Sequence, residues 1–76
     1  MVGNNMIATK TKILKLIEDG KKFYVNNIKY MKLETSGRLS DKPRVHAYCY
    51  ATGNTVWFNG DVQVTVWEAV ENEEEL

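Results

Sequence analysis

Lys21-Lys22-Phe23-Tyr24-Val25-Asn26-Asn27-Ile28-Lys29-Tyr30-Met31-Lys32-Leu33 reads as a β-hairpin that turns at Asn26-Asn27. A two-residue hairpin loop needs positive φ, and Asn tolerates that better than any residue except Gly. With that turn, Val25 faces Ile28 and Phe23 faces Tyr30. Tyr24, Lys29, Lys22 and Met31 fall on the other side. One face is apolar or aromatic and the other is mixed, which is the pattern of a half-buried sheet. The apolar face is expected to be the core plate, and Tyr24 and the hairpin's lysines its rim.

Working outward from the hairpin, Ile7 to Ile13 alternates, with Lys10 and Lys12 on one side, as a strand does. A strand followed by a tight turn through Glu18-Asp19-Gly20 is the preferred reading. Ile13, Leu14, Leu16 and Ile17 also fit helical spacing with Gly20 as the stop. On the C-terminal side, Leu33 to Arg44 is rich in Ser, Gly, Asp and Pro and reads as a surface loop carrying Arg38, Lys42 and Arg44. Val45 to Ala51 alternates sharply. A Gly53-Asn54 turn would pair Ala51 with Val56, Cys49 with Phe58 and Tyr50 with Trp57. A three-residue loop, Asn59-Gly60-Asp61, would then set Phe58 opposite Val62 and Val56 opposite Val64. The alternative two-residue turn would bury Asp61 without a partner. The last strand is expected over about Val62 to Ala69, with Val62, Val64 and Val66 inward and Trp67 outward.

The fold class expected is all-β: about five short antiparallel strands in a meander, curling into a small SH3-like barrel. Residues 1 to 6 are expected to be a mobile N-terminus, 7 to 70 a single domain, and 71 to 76 an acidic disordered tail. A chain of 76 residues buries a modest core, so homo-oligomerisation is expected to reinforce it.

The composition excludes several classes. Cys49 is the only cysteine, so there is no disulfide framework, and a reducing compartment is expected. No run is apolar enough to span a bilayer, and Met1-Val2-Gly3-Asn4-Asn5-Met6 does not look like a secretory signal. A cytoplasmic protein without a membrane partner is expected. The net charge is zero but unevenly spread. All ten basic residues lie between Lys10 and Arg44, against Glu18, Asp19, Glu34 and Asp41, which leaves +6 there. From residue 45 onward there is no Lys or Arg, and the balance is −6. This is either a basic binding face or a sheet in which strands from both halves interleave and mix their charges.

Catalysis is not expected. His46 and Cys49 differ in strand parity and point to opposite faces, which argues against a Cys–His pair. No cluster of ligands marks a metal site, and no glycine-rich phosphate loop implies a cofactor. The informative constellation is His46, Tyr48, Tyr50 and Trp57 on one face, with Trp67 near. Three explanations compete: another segment covers the face, it is an oligomer interface, or it is a ligand surface. Rings beside Arg38, Lys42 and Arg44 are the chemistry of nucleotide binding, with bases on the rings and phosphate on arginine.

Asp19-Gly20-Lys21-Lys22-Phe23, then Asn27, Tyr30 and Lys32, then Thr52-Gly53, Phe58, Asp61 and Val64, resembles a recurrent small β-domain of tailed bacteriophages. Those domains read approximately D-G-x-x-F, N-G-x-x-Y-x-K, T-G and F-x-x-D-x-x-V, and the resemblance spans about residues 13 to 67. This chain differs in having Asn26-Asn27 where Asn-Gly is usual and a longer loop from Glu34 to Arg44. The matched positions are turns and core, so the resemblance implies a fold and a phage origin and carries over no functional residue. A class similar in setting is the viral sponges, oligomers that sequester cyclic-nucleotide immune signals such as those of CBASS defence. Three partners are therefore expected in turn. The first is a nucleotide-like anion and the second a host enzyme inhibited by contact. The third is a single-stranded nucleic acid, which zero net charge disfavours.

Overall fold

The computed structural model describes residues 6–70. It contains six strands in one antiparallel sheet: β1 Met6–Ile13, β2 Lys22–Val25, β3 Ile28–Ser36, β4 Arg44–Cys49, β5 Thr55–Asn59 and β6 Gln63–Val70. The only helical element among these residues is one 3₁₀ turn, Leu14–Leu16. The segment 13–20 is thus a strand end, a single 3₁₀ turn and then a turn, neither of the two simple readings alone. The strand expected from Ile7 begins at Met6. The mobile segment and the disordered tail expected before Met6 and after Val70 lie outside the described residues.

The central hairpin forms as its residues dictate. Asn26 and Asn27 take φ of 53° and 67°, and the register is Val25↔Ile28, Tyr24↔Lys29, Phe23↔Tyr30 and Lys22↔Met31. Beyond it, β3 is longer than its composition implies. Glu34, Thr35 and Ser36 continue the strand to pair with His46, Val45 and Arg44, so the loop shrinks to residues 37–43. A bulge at Leu33 shifts the register between Lys32 and Glu34. Lys32 keeps the inner face it shares with Tyr30, while the extra residue turns Glu34 to the outer one, although strand parity alone would put the two together.

The second hairpin is slipped from the expected register. β4 stops at Cys49, and the loop closes through Gly53 N–H to Cys49 C=O and Cys49 N–H to Asn54 C=O, both 2.8 Å. The pairs are Val45↔Phe58, His46↔Trp57 and Ala47↔Val56, so Ala51, Cys49 and Tyr50 do not oppose Val56, Phe58 and Trp57. The slip is an even number of residues, so every side chain keeps its face.

The expected meander fails at Asn59-Gly60-Asp61. β5 and β6 do not pair, and the strand order is β1-β6-β2-β3-β4-β5. Backbone bonds elsewhere hold the connection instead: Gly60 N–H donates to Pro43 C=O at 2.8 Å, and the Gly60 and Val62 carbonyls accept from Lys15 and Leu14 N–H, both at 2.9 Å. The chain then crosses to the far side, where β6 lies along β1 in register from Met6↔Val70 to Ile13↔Gln63. The sheet is not closed, and β1 and β5 form its edges.

The sheet still bends around a core. Leu14, Ile17, Phe23, Val45, Ala47, Val64 and Val66 are buried, with Val25, Tyr30, Phe58 and Val62 packed against them. Phe58 of β5 meets Phe23 edge-on at 5.7 Å and Tyr30 at 5.0 Å, which draws the inner faces of β2, β3 and β5 together. Each fully buried aliphatic or Phe side chain contributes roughly 1.5–3 kcal/mol, so these few residues dominate stability. Cys49 is buried among them as a small core residue. The antiparallel β1–β6 pair also mixes the two oppositely charged halves of the sequence: Lys10 and Lys12 both reach Glu68, at 3.3 and 2.8 Å, and Lys15 reaches Asp61 at 2.7 Å. Among the described residues no helix is long and apolar enough to cross a membrane.

Candidate functional site

Alternation places Arg44, His46 and Tyr48 of β4 on the outer face, opposite Val45, Ala47 and Cys49, which are buried. The cross-strand pair His46↔Trp57 brings imidazole and indole together, with centroids 4.4 Å apart and planes 13° from parallel. The Arg44 guanidinium lies 5.4 Å from the same indole centroid. Guanidinium over an aromatic face is attractive by the ring quadrupole, and planar Arg stacks while its edge donors stay available. Trp57 nevertheless remains 44% exposed.

A second cluster adjoins the first along β4. Tyr48 and Tyr50 meet edge-on at 5.2 Å. Lys29 of β3 sits 4.9 Å from the Tyr50 ring centroid, and the Tyr50 hydroxyl donates to Met31 Sδ at 3.8 Å. Glu34, re-aimed by the bulge, places Oε2 3.8 Å from His46 Nδ1. Lys29, Met31 and Glu34 were not among the residues expected in the site. The signal for the first two was present in the hairpin, where they share a face with Tyr24. Glu34 could not be placed without the bulge.

Two expected members do not join. Arg38 and Lys42 are exposed in the 37–43 loop. That loop is held by Ser40 N–H to Gly37 C=O at 2.9 Å and by Lys42 N–H to Ser40 Oγ at 3.0 Å. Neither side chain touches the rings among the contacts of the described residues. Trp67 also lies apart: it packs on Tyr24, with centroids 5.7 Å apart, and in the strand order β6 is four places from β5. That separation is roughly 19 Å along a sheet. Two concavities flank Trp67. One, of about 530 Å³, lies between β2 and β6. The other, of about 300 Å³, is lined by Thr9, Tyr24, Asn26, Asn27, Thr65 and Trp67.

The arrangement offers a cation, aromatic surface and a neighbouring carboxylate, but no nucleophile beside a base. Cys49 is on the inner face, away from His46; a hydrogen bond from the Thr52 hydroxyl holds its thiol below the ordinary value against the opposing effect of burial. Tyr30 is pushed above its ordinary value, chiefly by burial. No group of three His, Cys, Asp or Glu side chains among the described residues is placed to hold a metal ion. No protein-family model, curated protein or solved structure matches this chain.

Proposed function

We propose that this is a non-catalytic binding protein whose outer sheet face takes a nucleotide-like anionic ligand. The observation that carries the reading is the Arg44–Trp57–His46 group: a guanidinium, an exposed indole and an imidazole within one cross-strand patch. A base stacks on such rings for roughly 1–3 kcal/mol, while Arg44 donates to phosphate with the paired geometry that guanidinium favours. In the setting implied by the bacteriophage resemblance, the ligand is a cyclic-nucleotide immune signal and binding sequesters it. A homo-oligomer suits this role, because the open β1 and β5 edges are the places where a small sheet gains a partner. Two copies joined near β5 would set two such patches side by side.

A thermal-shift and titration series against cyclic di- and trinucleotides tests the reading. Ligand at 100 times Kd should add about 2.7 kcal/mol of stability, and Arg44→Ala or Trp57→Ala should remove most of that gain. No stabilisation by any cyclic nucleotide at about 100 µM, which is 100 times a Kd of about 1 µM, would refute it.

One observation favours a second reading. Trp57 sits on β5, an edge strand, and an exposed Trp on an open edge is also a hot spot for a protein partner. In that case the protein inhibits a host enzyme by contact. Retention of a host protein after nuclease treatment and high-salt washing, lost on Trp57→Ala, would support this second function over the first.

A further inference from the structure

We infer that the groove of about 300 Å³ beside Trp67 is a saccharide site, which takes a neutral, glucose-configured pyranose ring. Register and strand parity put its parts on the outer face of the sheet. Thr65 stands opposite Tyr24 of β2, and Trp67, two residues on, stands opposite Thr9 of β1, so these four side chains share one side. Asn26 and Asn27 line the groove from the hairpin turn. No Lys, Arg, Asp or Glu lines it among the described residues. The hairpin's outer lysines are placed elsewhere: Lys29, opposite Tyr24, reaches the Tyr50 ring, and Lys22 lines the larger groove.

This lining selects a ligand by its chemistry. Trp67 is 56% exposed, so its indole offers a broad apolar surface. Tyr24 meets it at 5.7 Å with the planes 54° apart. The two rings therefore make one angled wall, not the parallel slot that suits a flat base held between two rings. A pyranose with equatorial hydroxyls carries C–H bonds on both ring faces and hydroxyls around its rim. Its C–H face lies on the indole, and its rim meets Thr9, Thr65, Asn26 and Asn27. Hydroxyl and amide side chains both donate and accept, as sugar hydroxyls do. These four are not spent within the fold: the side-chain hydrogen bonds among the described residues lie at other positions. With no cation in the lining, a phosphate has no partner there. An apolar wall with a few convergent polar groups is the usual make-up of a small-molecule site, and this one is at the small end of the range. The site does not depend on the nucleotide reading, because it uses none of the Arg44–Trp57 patch.

The experiment uses the full chain carrying Trp57→Phe, which leaves Trp67 as the sole indole. Cellotriose and maltotriose are the probes, with adenosine as a base that carries no phosphate. Expected is a saturable change in Trp67 emission with at least one of the two sugars. Titration calorimetry on the unaltered chain repeats the series without the indole substitution and should rank the probes alike. Asn27→Gly combined with Thr65→Val removes an amide and a hydroxyl from the groove while keeping residues that suit the turn and the strand. It should weaken binding by about tenfold, as two lost neutral hydrogen bonds do, while Arg44→Ala should leave binding unchanged. The proposal fails if neither sugar changes the emission or gives heat up to about 10 mM, ten times a very weak Kd of about 1 mM. It fails equally if the double variant binds as tightly as the parent, if Arg44→Ala abolishes binding, or if adenosine binds more tightly than both sugars.

Discussion

The ammonium of Lys32 donates to the carbonyl oxygen of Ile17, inside the bend of the sheet. Lys32 is only 1% exposed. It also reaches the Lys15 carbonyl at 3.4 Å and Asp19 Oδ1 at 3.5 Å. The lysine thus fastens β3 to the 3₁₀ turn and the turn that follows, by supplying donors to carbonyls that the short helix leaves open. Lys32→Met keeps the stem's packing and removes the donors. Charge-assisted hydrogen bonds of this kind carry about 1.5–3 kcal/mol, and urea unfolding should show a loss of that size. Asp19 is half exposed, so Asp19→Asn should cost less than about 1 kcal/mol. A reversed order would mean that the ion pair, not the carbonyls, is what Lys32 serves.

The pairing of Glu68 with Lys12 and Lys10 makes the β1–β6 edge sensitive to acid. Hydrogen bonds from Lys12, then from Lys10, hold this carboxyl below its ordinary value of 4.5. A carboxyl depressed on folding lends stability above its unfolded value, and that stability is lost as pH falls through the lower, folded value. The effect is therefore fully present at neutral pH and fades as the pH falls below that ordinary value. Hydrogen exchange in β1 should rise over that acid window in the parent and be flatter in Glu68→Gln. Identical profiles in the two proteins would assign the acid response to other carboxylates.

Asn26 and Asn27 both lie in the left-handed region. Asn27→Gly should leave stability unchanged or raise it, since Gly is free of the Cβ restriction. Asn27→Val should cost about 1–2 kcal/mol, the left-handed penalty for an ordinary residue. Thermal unfolding of both variants checks this, and an Asn27→Val protein as stable as the parent would contradict the turn geometry.

The hairpin was legible because two independent local signals, turn chemistry and strand parity, agree there. The aromatic face was legible for a different reason: faces depend only on parity, and the β4–β5 slip was even. What could not be read was set by distant partners. Glu34-Thr35-Ser36 look like loop residues but are claimed by β4. Asn59-Gly60-Asp61 looks like a hairpin turn, yet Gly60 is claimed by Pro43 and Lys15. Lys32, expected at the rim with the other lysines, is buried because Ile17, Lys15 and Asp19 converge on its ammonium. Arg38 and Lys42 were grouped with the rings by sequence proximity alone, and the shortened loop keeps them separate.

Gly60 is also tight in space. A Cβ there would stand 2.9 Å from the Pro43 carbonyl oxygen and 3.2 Å from Lys15 Cβ. Backbone oxygen cannot swing aside as a long side chain can. Gly60→Ala should therefore cost about 1–3 kcal/mol, the usual range for overpacking. Exchange should also quicken at the Gly60 and Lys15 amides, which bridge these segments. Unaltered stability would show that the crossing between β5 and β6 adjusts freely.

The register that joins Met6 to Val70 has a temporal side. β1 is synthesised before β2 to β5, but its partner β6 only after them. Until then the nascent chain can close the local hairpins around Asn26-Asn27 and Gly53-Asn54, while β1, with its alternating lysines and threonines, has nothing to pair with. Contacts of such long sequence separation slow folding, because the loop must close before any pairing rewards it. Completion of this sheet therefore waits for β6, the last of the six described strands along the chain, and the lysines of β1 keep the waiting strand soluble.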